Sequence, residues 1–120
     1  MKKIILLSLF MFLIIGCALD NGPHQSTTVA QASVMREGSR VSLIGVIVHH
    51  IDDDYYLFSD RSGEIRVEIE ARRWNGLQVV GTGDLIEIRG EVDRTFFGRL
   101  YIYVTGVSLV PLNENTGLLP

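Results

Sequence analysis

Apolar and polar residues alternate in five short stretches of the chain, a pattern typical of half-buried β-strands. The alternation is clearest over residues 64–70, where Ile65, Val67 and Ile69 are separated by charged residues. The other stretches cover residues 41–48, 55–58, 84–92 and 100–105. The pattern predicts five strands whose inward side chains are Val41, Leu43, Ile47, Tyr56, Phe58, Ile65, Val67, Ile69, Ile86, Ile88, Val92, Leu100, Ile102 and Val104.

A short helix is predicted ahead of the strands. Thr27 or Thr28 has the character of an N-cap, and residues 29–35 place Val29 and Ala32 on one face before Gly38 ends the helix. The remaining apolar stretches are too short for long helices between the strands, so we expect an all-β fold.

Two glycines indicate how the strands close. Gly45 and Gly90 interrupt predicted strands, and glycines inside strands often mark bulges or sharp bends at barrel corners. We therefore predict a five-stranded OB-like Greek-key barrel with a short N-terminal helix. An SH3-like barrel is the alternative.

An apolar run with a basic start precedes this pattern. Lys2 and Lys3 come before residues 4–15, which are apolar except for Ser8, and the segment ends with the lipobox-like Ile14-Ile15-Gly16-Cys17. A membrane-spanning helix needs about 20 apolar residues, so the run has the length of a signal peptide and not of a span. We expect residues 1–16 to be removed and Cys17, the only cysteine, to carry lipid. Ordinary secretion and an uncleaved anchor are the alternatives.

This leader predicts the organisation and location of the protein. Residues 17–26 would form a tether, residues 27–110 the folded domain and residues 111–120 a tail. We expect the domain to face the periplasm and to be lipid-anchored to a bacterial membrane, with Ala18 after the cysteine favouring the outer membrane. The formal net charge is −3, and removal of the two leader lysines makes it more negative.

Several segments resemble the bacterial OB-fold (BOF) family of small exported stress-tolerance proteins, over about residues 27–108. The more specific ones are Arg73-Trp74-Asn75-Gly76 and Gly90-Glu91-Val92-Asp93. The resemblance implies an OB barrel with an N-terminal helix, periplasmic residence and a ligand-binding role, and it carries no catalytic set. The lipobox departs from the soluble pattern of this family.

The first predicted ligand site is built from one dense cluster and one strand face. His50, Asp52, Asp53 and Asp54 fall in the predicted loop between the first two strands, where OB barrels often bind ligands. Arg66, Glu68 and Arg73 complete the candidate set. Carboxylates with histidine could hold a divalent cation, but the spacing matches no defined metal motif, so the metal stays unknown. A solvated turn is the alternative for the cluster, and a Trp74 plug of the barrel is the alternative for the Arg73 segment.

A second hypothesis is a protein-interaction surface for an envelope protein. By alternation, five apolar or tyrosine side chains point outward on the first, second and fifth strands and could form one patch. They are Ile44, Val46, Leu57, Tyr101 and Tyr103. The alternative is that the helix covers part of this patch with Val29 and Ala32.

Other function classes lack the residues they need. No nucleophile with its base is apparent and Gly81-Thr82-Gly83 lacks a following lysine, so we predict no enzyme and no cofactor. An acidic exported chain with Glu68 and Glu70 on an outer strand face is unsuited to phosphates, so we predict no nucleic-acid partner.

Overall fold

The five predicted strands are present in the computed structural model, which describes residues 26–111. They are β1 (Arg40–Asp52), β2 (Tyr55–Asp60), β3 (Gly63–Glu68), β4 (Ile86–Arg94) and β5 (Leu100–Leu109). They close in the order β1-β2-β3-β5-β4, and β4 pairs back onto β1. Only β3 and β5 run parallel among these pairs, with Val67 opposite Ile102. This order is the OB topology, which confirms the predicted fold and excludes the SH3-like alternative.

The barrel interior consists of the predicted apolar side chains. All of them are buried except Tyr56 and Leu100, which are partly buried against the same cluster. Two buried members were missed: Val79 lies in an irregular segment and Val107 in the unpredicted continuation of β5. The register of β3 is as predicted, because Ile65, Val67 and Ile69 point inward while Glu68 does not.

A short helix covers the end of the barrel at the β2–β3 turn. This helix, α1 (Val29–Ala32), begins with a capping box between Thr28 and Gln31. The Val29 and Ala32 side chains are buried in the barrel core, and the Val29 N–H donates to Asp60 Oδ2 at 2.9 Å. At the other end of β2, a 3₁₀ turn over Ala71–Trp74 packs the half-buried Trp74 ring edge-on against Tyr56, with centroids 5.1 Å apart.

Several predicted boundaries differ from the structure, among them the ends of the helix and of β1. The helix ends at Ala32 and not at residue 35: Ser33 is its C-cap, and the chain continues as a turn in which Met35 still packs against the core while Val34 is 86% exposed. Strand β1 continues to Asp52, because bulges in its pairing with β2 let it extend past Val48. The histidines His49 and His50 therefore lie on a strand and not in a loop.

The interior glycines allow close strand contacts. A Cβ atom on Gly45 would collide with the carbonyl oxygen of Ser59, and one on Gly90 would collide with the carbonyl oxygen of Tyr103. The β4–β5 pairing shifts register between Arg89 and Gly90, so the second glycine sits at a bulge, as predicted.

The predicted leader, with Cys17, lies outside the described residues, as do most of the tether and the tail. Within residues 26–111, no helix is long and apolar enough to cross a membrane.

Candidate functional site

A cluster of tyrosines and carboxylates occupies the outer side of β2, β3, β4 and β5. Tyr55 lies opposite Glu68, and Glu68 lies opposite Tyr103 on the parallel neighbour. The rings of Tyr55 and Tyr101 meet edge to face with centroids 5.6 Å apart, and Tyr101 Oη donates to Asp93 Oδ2 at 3.1 Å. We call the surface formed by Tyr55, Arg66, Glu68, Asp93, Tyr101 and Tyr103 the acidic tyrosine face.

The one cation on this face stacks on an aromatic ring. The Arg66 guanidinium carbon lies 5.0 Å from the centroid of Tyr55, a cation–π geometry. The four ion pairs found among residues 26–111 do not include Glu68, Asp93, Asp52 or Asp54. These four carboxylates are therefore not neutralised by a direct ion pair within that range.

Neighbouring carboxylates on the acidic tyrosine face make ionisation of each further acidic group less favourable. Burial raises the pKa of Glu68, and the carboxylates of Asp54, Glu70 and Asp93 raise it further. Burial also raises the pKa of Tyr101, and the hydrogen bond from Tyr101 to Asp93 raises it further. A bound cation would relieve this repulsion, because an opposite charge stabilises the ionised form of each carboxyl group.

Arg73 lies at the border of the face and has a structural role. Its Nη1 donates to the Thr105 carbonyl at 3.1 Å, and its Nε lies 3.9 Å from Glu70 Oε1. Glu70 also accepts a 2.7 Å hydrogen bond from Tyr103 Oη, which lowers the pKa of Glu70. These contacts hold the 3₁₀ segment on β5, so Arg73 is less available to a ligand than predicted.

The structure separates His50 from the acidic tyrosine face. The His50 Nε2–H donates to the Asp53 carbonyl at 2.6 Å, and its ring lies 4.7 Å from that of Tyr56. Tyr55 and Tyr56 are consecutive strand residues, so they point to opposite sides of β2. His50 thus faces the Trp74 side.

The aspartates between β1 and β2 do not form a preassembled metal site. Asp52 lies opposite Tyr55, whereas Asp53 takes a left-handed conformation with φ of 43° and is exposed. Across residues 26–111, no three His, Cys, Asp or Glu side chains are grouped closely enough to hold a metal ion. Asp54 is the member of the cluster whose charge acts on Glu68.

The five outward apolar and tyrosine residues do not share one patch. Ile44 and Val46 line a groove with Leu85 near the β2–β3 turn, whereas Tyr101 and Tyr103 belong to the acidic tyrosine face. Leu57 is paired with His49 on one side and with Arg66 on the other, so it lies at the border of the acidic tyrosine face and not in the Ile44 groove. The helix does not cover the residues as the alternative proposed, because Val29 and Ala32 are buried in the core.

Sequence reasoning missed Asp93 and gave Tyr55 no role. Asp93 could have been identified from the sequence, because the hairpin loop between β4 and β5 places Asp93 opposite Tyr101. Tyr55 could have been found from Glu68, since the tight turn at residues 61–62 sets the register that places them opposite each other.

Comparison with known proteins agrees with this architecture. The model of the bacterial OB fold (BOF) protein family matches residues 18–108. Protein YgiW of Escherichia coli (strain K12) is 49% identical over 68 residues, which are 57% of this chain and 52% of YgiW. The calcium-regulated OB-fold protein CarO of Pseudomonas aeruginosa is 34% identical over 74 residues, which are 62% of this chain and 63% of CarO.

A solved structure supports the same assignment. The structure of the hypothetical protein ygiW from E. coli matches with a TM-score of 0.67 at 41% identity, covering 72% of this chain and 91% of that one. In the sequence comparison, the chain spans about half the length of the E. coli relative. The family match covers most of the chain and the fold is an OB barrel, so this protein belongs to the bacterial OB-fold family.

Proposed function

We propose that this protein is a lipid-anchored, periplasm-facing OB-fold binding module that binds a small cationic ligand on the acidic tyrosine face and serves envelope integrity or stress tolerance. The lipobox at Cys17 supports the anchor, and the family supports a binding role in place of an enzymatic one. The β2–β3 surface is also where OB barrels commonly bind ligands.

The observation that carries the proposal is the environment of Glu68. This carboxylate is half-buried between Tyr55 and Tyr103 on neighbouring strands, and its pKa is raised by burial and by nearby carboxylates. An ordinary solvated glutamate would have neither feature. Tyrosine rings beside carboxylates suit an organic cation, which gains both cation–π attraction and ion pairing.

Thermal melting with a polyamine tests this proposal. Spermidine should raise the Tm of the wild type, because a ligand that binds only the folded state stabilises it. Glu68→Gln should abolish most of this rise. Glu64→Gln is the matched control: Glu64 lies on the same strand but is exposed, so the rise should persist. An equal rise in both variants would show unspecific charge attraction and refute the site.

Calcium is the second candidate ligand, because the relative CarO is described as calcium-regulated. Calcium needs six to eight oxygen ligands, and residues 26–111 offer no preassembled group of three. A calcium ion would therefore keep most of its water and contact Asp54 or Glu68 at low affinity. A Tm rise with calcium that a chelator reverses, and that exceeds the rise with spermidine, would favour this candidate.

The anchor is tested separately by intact-mass analysis of the membrane fraction. Loss of residues 1–16 with two or three acyl chains on Cys17 is the expected result, and Cys17→Ser should release or stall the protein. An unmodified Cys17 in the mature protein would contradict the anchor, while leaving the ligand-binding experiment interpretable.

A further inference from the structure

Two adjacent phenylalanines at the tip of the β4–β5 hairpin have no packing role in the barrel. Phe96 is 97% exposed and Phe97 is 94% exposed. Their rings contact each other edge to face with centroids 5.5 Å apart. Isolated apolar side chains are common on protein surfaces, but two fully exposed neighbouring phenylalanines indicate a surface that meets an apolar environment.

The tip has a defined shape that presents both rings outward. The Thr95 N–H donates to the Arg99 carbonyl at 2.8 Å, and the Gly98 N–H donates back to the Thr95 carbonyl at 2.8 Å. Gly98 adopts a φ of 82°, which permits the tight return of the chain. Arg94 Nη1 donates to the Gly98 carbonyl at 3.1 Å. The loop is therefore closed by its own hydrogen bonds, and the phenylalanines take no part in them.

The charges at the tip favour a lipid surface. The segment Arg94-Thr95-Phe96-Phe97-Gly98-Arg99 carries two exposed arginines and no acidic residue, although the whole chain is acidic. Aromatic rings suit the boundary between headgroups and acyl chains, and neighbouring arginines are attracted to anionic headgroups. An apolar protein pocket would explain the phenylalanines but would not require basic residues on both sides.

The position of the N-terminal segment allows this contact. The Thr27 N–H donates to the Ser42 carbonyl, and Ser26 lines a depression that also includes Arg40 and Glu91. The chain thus leaves the barrel beside β4, at a point about 17 Å along that strand from the Phe96–Phe97 tip. Residues 18–26 follow Cys17, and an extended segment of these nine residues reaches about 30 Å. A bilayer that holds Cys17 is therefore within reach of the hairpin tip.

We propose that the Phe96–Phe97 tip inserts into the anionic surface of the membrane that holds the lipidated N-terminus, as a second contact that fixes the orientation of the barrel. This inference rests on the lipid anchor of the proposed function. Two membrane contacts restrict the domain more than a flexible tether alone. The acidic tyrosine face, on the strand surfaces behind the tip, would then have a fixed relation to the membrane.

The test uses the full chain, processed in bacteria and reconstituted in vesicles of phosphatidylethanolamine and phosphatidylglycerol with brominated acyl chains. Trp74→Phe removes the only native tryptophan. Phe97→Trp then reports on the tip. Leu109→Trp is the matched control, since this residue is 50% exposed and lies about 30 Å away at the far end of the same hairpin.

The indole at position 97 should show blue-shifted emission and quenching by the brominated lipid, and the indole at position 109 should show neither. Quenching at position 97 should weaken when phosphatidylcholine replaces phosphatidylglycerol, because the arginines lose their anionic partners. Equal quenching at both positions, or none at position 97, would overturn the proposal. Shielding of position 97 in native envelopes but not in pure lipid would indicate a protein partner and would also overturn it.

Two further measurements keep the experiment decisive. If Trp74→Phe unfolds the barrel, spin labels on Phe97→Cys and Leu109→Cys measure the same depths in the presence of Trp74, because the native Cys17 is blocked by acylation. Intact mass of the same samples reports the acylation itself. An unmodified Cys17 would remove the basis of both proposals, whereas an acylated chain with a water-exposed tip would refute this inference alone.

Discussion

The Asp60 carboxylate joins the β2–β3 turn to the helix that covers the barrel. Its Oδ2 accepts from the Val29 N–H at 2.9 Å, and its Oδ1 accepts from the Ser62 N–H at 2.7 Å and from Ser62 Oγ at 2.6 Å. Ser62 Oγ in turn accepts from the Ala30 N–H at 2.9 Å. We predict that Asp60→Ala is one of the most destabilising substitutions of a polar residue in the domain.

The magnitude follows from the number and type of these bonds. A buried hydrogen bond to a charged group contributes about 1.5–3 kcal/mol to the free energy of unfolding. Asp60 is partly exposed, so we expect its three hydrogen bonds to contribute about 2 kcal/mol in total. For a domain of this size, about 2 kcal/mol corresponds to a Tm loss of about 8–16 °C. Glu64→Ala, an exposed acidic position nearby on β3, is the control and should change the Tm little.

The pH dependence gives this prediction a second test. Burial opposes ionisation of Asp60, but the hydrogen bonds from Ser62 and Val29 outweigh it and lower the pKa of Asp60. The carboxylate therefore stabilises the fold above its unfolded-state pKa of about 3.9, and this contribution is lost as the pH falls through the lower folded-state pKa. The Tm difference between wild type and Asp60→Ala should be complete at pH 7 and should shrink below about pH 4. Equal melting of Asp60→Ala and Glu64→Ala at pH 7 would refute the reasoning.

Three further predictions concern the barrel and the face. Val67→Asp should prevent folding because Val67 is fully buried, whereas Glu68→Ala should leave the Tm nearly unchanged. Far-UV circular dichroism measures both effects, and the reverse outcome would show that the register of β3 is wrong. Gly90→Ala should lower the free energy of unfolding by about 1–3 kcal/mol in urea titration, since the new Cβ would press on the Tyr103 carbonyl; an unchanged midpoint would refute the close contact. Tyr103→Phe should raise the pKa of Glu70 in an NMR titration because it removes the Tyr103 hydrogen bond, and an unchanged pKa would show that this bond is absent in solution.

The fold could be predicted because each strand buries one face. Strict alternation at Ile65, Val67 and Ile69 determined the register of β3, and the short turn before it determined the pairing with β2. The end of β1 could not be predicted, because two bulges interrupt its alternation and the acidic sequence at Asp52 and Asp53 looks like a turn.

The candidate site was predicted only in part, because it depends on contacts between distant strands. Glu68 and the tyrosines of β5 were identified by alternation, but the parallel pairing of β3 with β5 that joins them is a tertiary property. His50 was grouped with the aspartates by its position in the sequence, whereas the bulges of β1 turn it toward Tyr56. Neighbours in sequence were thus a poor guide to neighbours on the barrel surface.

Binding of a cation to the acidic tyrosine face can be measured directly by an NMR titration of the mature protein with spermidine. Saturable shifts should be confined to the acidic tyrosine face, should be largest at Tyr55, Glu68 and Tyr101, and should disappear in Glu68→Gln. Shifts centred on the Ile44 groove, or no saturable shift at any position, would contradict binding at this face.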